Sequence, residues 1–432
     1  MKLHTHYEMK ACRWAILFLG VVTVVWAETG QVEENRVVKR YEQGFLEWQI
    51  TETEVGNTKH LSGVVRWNQS SGAGGEPVIG MPLVLVVVHH ETQELTPIAQ
   101  AITDEKGRFK VSIETKEKVR IGGDVSQTQR MPTTVWNTLQ KGTRPPEETQ
   151  QVERLIELRK RVNETTPWGQ RVHRWMTGQR REFFIDQELP ASAFYSIADN
   201  RIYRNPQFDA PVEQQVADAR NGYLSGFILL FHEVLHQAQE NQSRWGVLWK
   251  FLRETGQIER YVQGDEMEAS DSDWLRLSHE LTGQQGRTGK EAKAHFRQWQ
   301  REMQKTASER TLLREIQAYW ISDVLTVDAL YHLLYERNVH GSYANLTRVD
   351  PEQFRHLCEM IDALYAVYDG DFNQFAAFVG NADSMDAFEK RAVTVISEID
   401  KGTLKARRDR LQQEKNDWKQ TTQRFARDVF RR

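Results

Sequence analysis

Cysteine is nearly absent: Cys12 and Cys358 are the two in 432 residues. A surplus of one charge is missing too. Lys and Arg number 57 against 60 Asp and Glu, and a formal net charge of -3 gives no reason to expect nucleic acid as a partner. Nor is there an apolar run of the roughly 20 residues that span a bilayer. The candidate, "AILFLGVVTVVWA", is shorter and stops at Glu28. With 39% hydrophobic and 27% charged residues, the composition argues for a globular protein rather than wholesale disorder.

That short apolar run has the context of an export signal. Lys2, Lys10 and Arg13 precede it, and Val25 and Ala27 stand where a signal peptidase reads. Residues 1–27 therefore read as a cleaved signal peptide, with an uncleaved anchor as the alternative, and the product as periplasmic or secreted. Cys12 precedes the apolar run, so it is no lipid-attachment site of the usual kind. Cys358 alone remains after cleavage, and a disulfide within the mature chain is excluded. Such a protein relies on its core, or on metal, for stability.

Residues 28–58 are polar and read as a linker. From residue 59 to 116 the pattern is β: "SGVVRW", "MPLVLVVVHH", "PIAQAIT" and "RFKVSIE" are Val-rich runs between turns, with a hairpin expected through Glu105–Gly107. His89 and His90 end one run and read as surface histidines. Residues 117–146 form a second linker. Pro146 then opens an amphipathic helix carrying Val152, Leu155, Ile156 and Val162 on one face. From there the chain is mostly helical, except for two β-like runs, Ala193–Ile197 and Arg201–Arg204, around an Asp-Asn turn. Residues 351–432 are helical and end in a basic stretch with Leu404, Leu411, Trp418 and Phe425 at seven-residue intervals. One stripe is too narrow for a coiled coil, and a solvated helix lying across the body is expected rather than membrane contact.

The chemistry is concentrated in "GYLSGFILLFHEVLHQAQ". Its first half has almost no polar face, so the helix must be buried nearly all round. His232 and His236 stand one turn apart on one side, where both imidazoles can address a tetrahedral metal. Glu233 can reach a metal-bound water and take its proton as it attacks a carbonyl. A third ligand is needed. The HExxHxxGxxH arrangement is excluded because positions 239 and 242 are Gln239 and Gln242. "TLLREIQAYWISDVL" offers Glu315 beside Leu312, Ile316 and Tyr319, where a lone carboxylate is costly unless paired or bound to metal. A salt bridge to Arg310 or Arg314 is the competing reading, and Glu268 and Glu280 are weaker alternatives as ligands. Ser322 and Asp323 are candidates to support the imidazoles. Tyr319, Tyr331 and His332 are candidate donors to transition-state charge.

Two resemblances attach to these residues. Gly63-Val64-Val65, Gly80-Met81-Pro82-Leu83 and Thr103-Asp104-Glu105-Lys106-Gly107-Arg108-Phe109 resemble a carboxypeptidase-regulatory-like (transthyretin-like) domain, which implies a non-catalytic role in binding a surface or protein partner. HEVLH with a distal glutamate resembles a gluzincin-type zinc metallopeptidase over about residues 190–340. In the best-known members the third ligand lies much closer, in an NExxxD-like or ExxxD-like motif, which this chain lacks. By that resemblance "AFYSIADNRIYRNP" would lie along an extended peptide substrate. The expected fold class is thus multidomain: a small all-β sandwich at 59–116, then a mostly α-helical, zincin-like (α+β) catalytic domain at 147–350, with a helical C-terminal extension at 351–432. The expected function is hydrolysis of polypeptides with one zinc per chain, held by His232, His236 and Glu315. The alternative is a catalytically inactive, peptidase-like exported binding protein.

Overall fold

The computed structural model describes residues 32–33, 36–88, 95–178, 183–284, 286–322, 326–335 and 346–431. The signal peptide, His89, His90 and Asp323 lie outside them. The chain divides into two compact units, one up to Thr128 and one from Gln129 onward.

The first unit is built of antiparallel strands. β1 (Val32–Glu33), β2 (Arg36–Gln43), β3 (Leu46–Val55), β4 (Thr58–Trp67) and β7 (Arg108–Glu114) form one sheet in the order β1-β2-β3-β4-β7. β5 (Pro82–Val88), β6 (Leu95–Ile102) and β8 (Lys118–Gly123) form another, ordered β6-β5-β8. Alternation sets the buried faces: Leu46, Trp48 and Ile50 on β3, and Leu83, Leu85 and Val87 on β5.

Residues 28–58 are therefore not a structureless linker, since β1, β2 and β3 lie there. Gly44, at φ 57°, starts the two-residue turn between β2 and β3, the position at which a type II′ hairpin takes glycine. Residues 117–146 likewise hold β8 and, in the second unit, β9 (Arg130–Pro132) and α1 (Thr133–Thr143). The turn at Glu105–Gly107 exists but joins no hairpin. β6 pairs with β5 and β7 with β4, so this turn carries the chain from one sheet to the other. Asp104 closes it, its Oδ1 accepting from the backbone N–H of Lys106 and Arg108 at 2.8 Å each.

The second unit contains one small sheet and the helices. β9, β10 (Phe183–Asp186), β11 (Ala193–Ser196) and β12 (Arg201–Arg204) are ordered β11-β12-β10-β9, and β10 runs parallel to β12. Helices α2 (Pro146–Thr165), α3 (Pro167–Thr177), α4 (Val212–Arg220) and α5 (Ser225–Asn241) come next. They share one core with α10 (Ala307–Ser322), α11 (Val327–Tyr335), α12 (Pro351–Val367), α13 (Phe372–Gly380), α14 (Met385–Ser397) and α15 (Lys401–Val429). Between these groups, α6 (Arg244–Thr255), α7 (Ile258–Gln263), α8 (Asp271–Thr282) and α9 (Gly289–Lys305) enclose a second core around Trp274, Phe296 and Trp299.

The position 350 is thus no domain border, because α12 to α15 fill the same core as α5 and α10. The seven-residue stripe of α15 packs on the body: Leu411 and Trp418 are buried, and Leu404 and Phe425 lie against the core. Three of its basic side chains are engaged with carboxylates, Arg407 and Arg410 with Asp369 and Arg408 with Asp362. Among the described residues no helix is long and apolar enough to cross a membrane.

Candidate metal centre

α5 is enclosed as its apolar surface requires. Phe227, Ile228, Phe231, Val234 and Leu235 are buried, and α4, α10, α13 and the β11–β12 hairpin pack around the helix. His232 and His236 leave it on one side, their Nε2 atoms 3.0 Å apart. α10 brings Glu315 against both. Its Oε2 lies 3.6 Å from His232 Nε2 and its Oε1 3.5 Å from His236 Nε2.

These three residues could hold a metal ion. Donor atoms about 2.0–2.1 Å from a tetrahedral zinc are roughly 3.3–3.4 Å from one another. The spacings of 3.0, 3.5 and 3.6 Å scatter around that value. A second observation is chemical. Glu315 Oε2 is buried and accepts no hydrogen bond, a costly state for a carboxylate that a cation would relieve.

Burial alone would raise the Glu315 carboxyl, but His236 and then His232 outweigh it and hold that carboxyl well below the usual range. Burial likewise works to lower His236, while the Glu315 charge, with a smaller contribution from Glu233, brings its imidazole up to about 9. Without metal the cluster is a proton-holding charged group. A cation would take the proton's place.

The competing partners of Glu315 are occupied elsewhere. Arg314 pairs with Glu240, and Arg310 donates to the Met303 carbonyl at 2.8 Å. Glu268 and Glu280 are exposed, and Glu268 pairs with Arg260. Neither joins the cluster.

Comparison with family models, curated proteins and solved structures finds no match for this chain.

Glu233 is buried beside the histidines, 7% exposed, and makes no hydrogen bond or ion pair among the described residues. Tyr319, one turn beyond Glu315, sets its ring against that of His232, with centroids 4.4 Å apart and planes tilted by 58°. Tyr331 is directed elsewhere: its hydroxyl donates to the Val349 carbonyl at 3.1 Å, and its ring packs on Phe354. His332 is exposed on α11, a helix that packs on α12, and is not brought into the cluster. The side chain of Ser322 lies outside the described residues, as does Asp323. Support for His236 comes from a residue that sequence reasoning treated only as a mismatch. Gln239, one turn on, offers Oε1 to His236 Nδ1 at 2.9 Å.

The hairpin before α5 has the expected form. β11 and β12 are antiparallel, and Asn200 turns the chain with a φ of 59°, a conformation that asparagine tolerates. The Asn200 carbonyl accepts from Gln237 Nε2 at 2.9 Å, and its Oδ1 from Tyr195 Oη at 3.0 Å. The tip of the hairpin is thereby fastened to the histidine helix. β11 is an edge strand, paired with β12 alone among the described residues.

Proposed function

We propose that this chain is an exported, zinc-dependent peptidase. His232, His236 and Glu315 would hold one zinc. That ion supplies a water of lowered pKa and a Lewis acid for the carbonyl oxygen of the substrate. The observation that carries the reading is Glu233, a carboxylate only 7% exposed on the turn that bears both histidines, with its charge acting on His236. As base, it accepts a proton on a carboxylate oxygen while water attacks the scissile carbonyl, then returns it to the leaving nitrogen. The edge of β11, fastened to α5 through Asn200 and Gln237, is suited to pair with an extended peptide. Tyr319 is the nearest candidate to donate to the developing oxyanion. We assign no such role to Tyr331 or His332. The β-sheet unit is read as a carboxypeptidase-regulatory-like sandwich that engages a surface or protein partner, and residues 1–27 as the signal for export.

A second reading, a peptidase-like binding protein that has lost catalysis, is favoured by one feature. The His232, His236 and Glu315 side chains are only 9%, 15% and 13% exposed, which leaves little room for a substrate without movement. Glu233→Gln separates the two. The peptidase reading expects zinc to be retained and hydrolysis of a casein-derived peptide mixture to fall by about 10²–10⁴-fold. Hydrolysis that survives the change unaltered, or that is missing from the zinc-loaded wild type, overturns it.

A further inference from the structure

Two fully buried glutamines stand behind the candidate metal centre, and their hydrogen bonds have only one consistent direction. Gln239 on α5 and Gln317 on α10 are each 0% exposed. The chain of bonds ends on backbone. Gln317 meets the Phe375 carbonyl of α13 at 2.8 Å, and a carbonyl can only accept, so the Gln317 group facing it is the Nε2 amide. Its Oε1 is then left to accept, which it does from Gln239 Nε2 at 2.7 Å. The Gln239 amide also donates to the Arg314 carbonyl at 3.1 Å, so a second backbone acceptor fixes its orientation independently. Gln239 Oε1 therefore faces His236 Nδ1, 2.9 Å away, and the imidazole must donate.

We propose that Gln239 is a positioning residue: through Gln317 and the Phe375 carbonyl it holds His236 with the proton on Nδ1 and the Nε2 lone pair turned to the metal. Its importance for metal rests on the zinc reading given above. The same bonds tie α5, with both histidines, to α10, with Glu315, so ring orientation and ligand spacing are set by one relay. Close packing guards it. A Cβ built on Gly380 of α13 would lie 2.2 Å from the Gln239 carbonyl oxygen, so that helix can approach the relay only with glycine there. Buried amides satisfied at every polar atom specify one arrangement, whereas a missing partner strands the others.

The test uses the full-length protein and zinc alone. Gln239→Met removes the acceptor at similar volume and is expected to weaken zinc binding, read by chelator competition, by about 10–100-fold. Gln317→Met, which leaves His236 its neighbour but frees that neighbour to turn, is expected to cost less. A merely structural role would lower the Tm of both metal-free variants and leave zinc affinity where it was. That result, in folded Gln239→Met, overturns the proposal. Should the variants fail to fold, the metal-free wild type decides by imidazole ¹⁵N shifts of the neutral ring: His236 protonated on Nδ1 supports the relay, and an Nε2–H tautomer refutes it. If the wild type takes up no zinc, the peptidase reading falls by itself. The tautomer, read from the same ¹⁵N shifts in metal-free protein titrated until the ring is neutral, still decides the relay.

Discussion

α5 and α10 meet at two charged contacts of opposite character. At one, Arg314 of α10 faces Glu240 of α5, with side chains 12% and 15% exposed, and Ser243 and the Gly380 carbonyl take up further bonds. Opposite charges are matched one to one, and the group left without a hydrogen bond is a donor, Arg314 Nε. At the other, the helices exchange roles: α10 supplies the carboxylate, Glu315, and α5 the nitrogens of His232 and His236. That contact is not complete, since Glu315 Oε2 has no hydrogen bond and two imidazole nitrogens converge on one region. A one-to-one pair of buried charges is closed to a further ion. One left with surplus donor atoms is a place for something else.

The larger effect is expected at the open contact. Glu315→Gln keeps the shape and removes the charge, and zinc binding is expected to weaken beyond the roughly 10–100-fold that outer residues typically cost. Zinc at about 100 times its wild-type Kd should stabilise the wild type by roughly 2.7 kcal/mol and the variant by almost nothing, read from melting curves with and without metal. Equal shifts in both would remove Glu315 from the site.

At the closed contact the expectation reverses. Arg314→Met leaves Glu240 buried without its cation, and denaturant unfolding should show a loss of about 3–5 kcal/mol, with zinc affinity close to that of the wild type. A large loss of zinc affinity there would mean that the two contacts act as one.

The most gradual effect depends on pH. Burial opposes the charged form of His236, yet Glu315 raises the imidazole to about 9, so at neutral pH the metal-free site holds a proton that zinc must displace. Zinc affinity should therefore rise by up to about tenfold per pH unit towards 9 and level off above it. A flat profile between pH 6 and 8, measured with a chelator of known protonation, would contradict this.

The same contrast explains what could be read in the sequence. HEVLH stood out because His232, Glu233 and His236 interrupt an apolar helix, and Glu315 because a carboxylate on a buried face demands a partner. Gln239 and Gln317 gave no such signal: neutral amides occur everywhere, and their value here depends on three helices that meet only in the fold. In the first unit the Val-rich strands were plain, while β3 was hidden. Its inward residues are only Leu46, Trp48 and Ile50, and Glu47, Glu52 and Glu54 dominate the composition around them. For α15 the seven-residue stripe was legible but its mate was not. That mate is the core holding α5, which no local pattern names.

Phe375 and Gly380 have a bearing on the order in which the molecule is made. The wall behind His236 is supplied by α13, far downstream of the histidines it steadies, and α12 to α15 close the core around it. During synthesis, HEVLH emerges long before the segment that fixes its geometry. A chain still on the ribosome therefore carries the donor atoms without their arrangement, and the centre takes shape only when the last helices arrive.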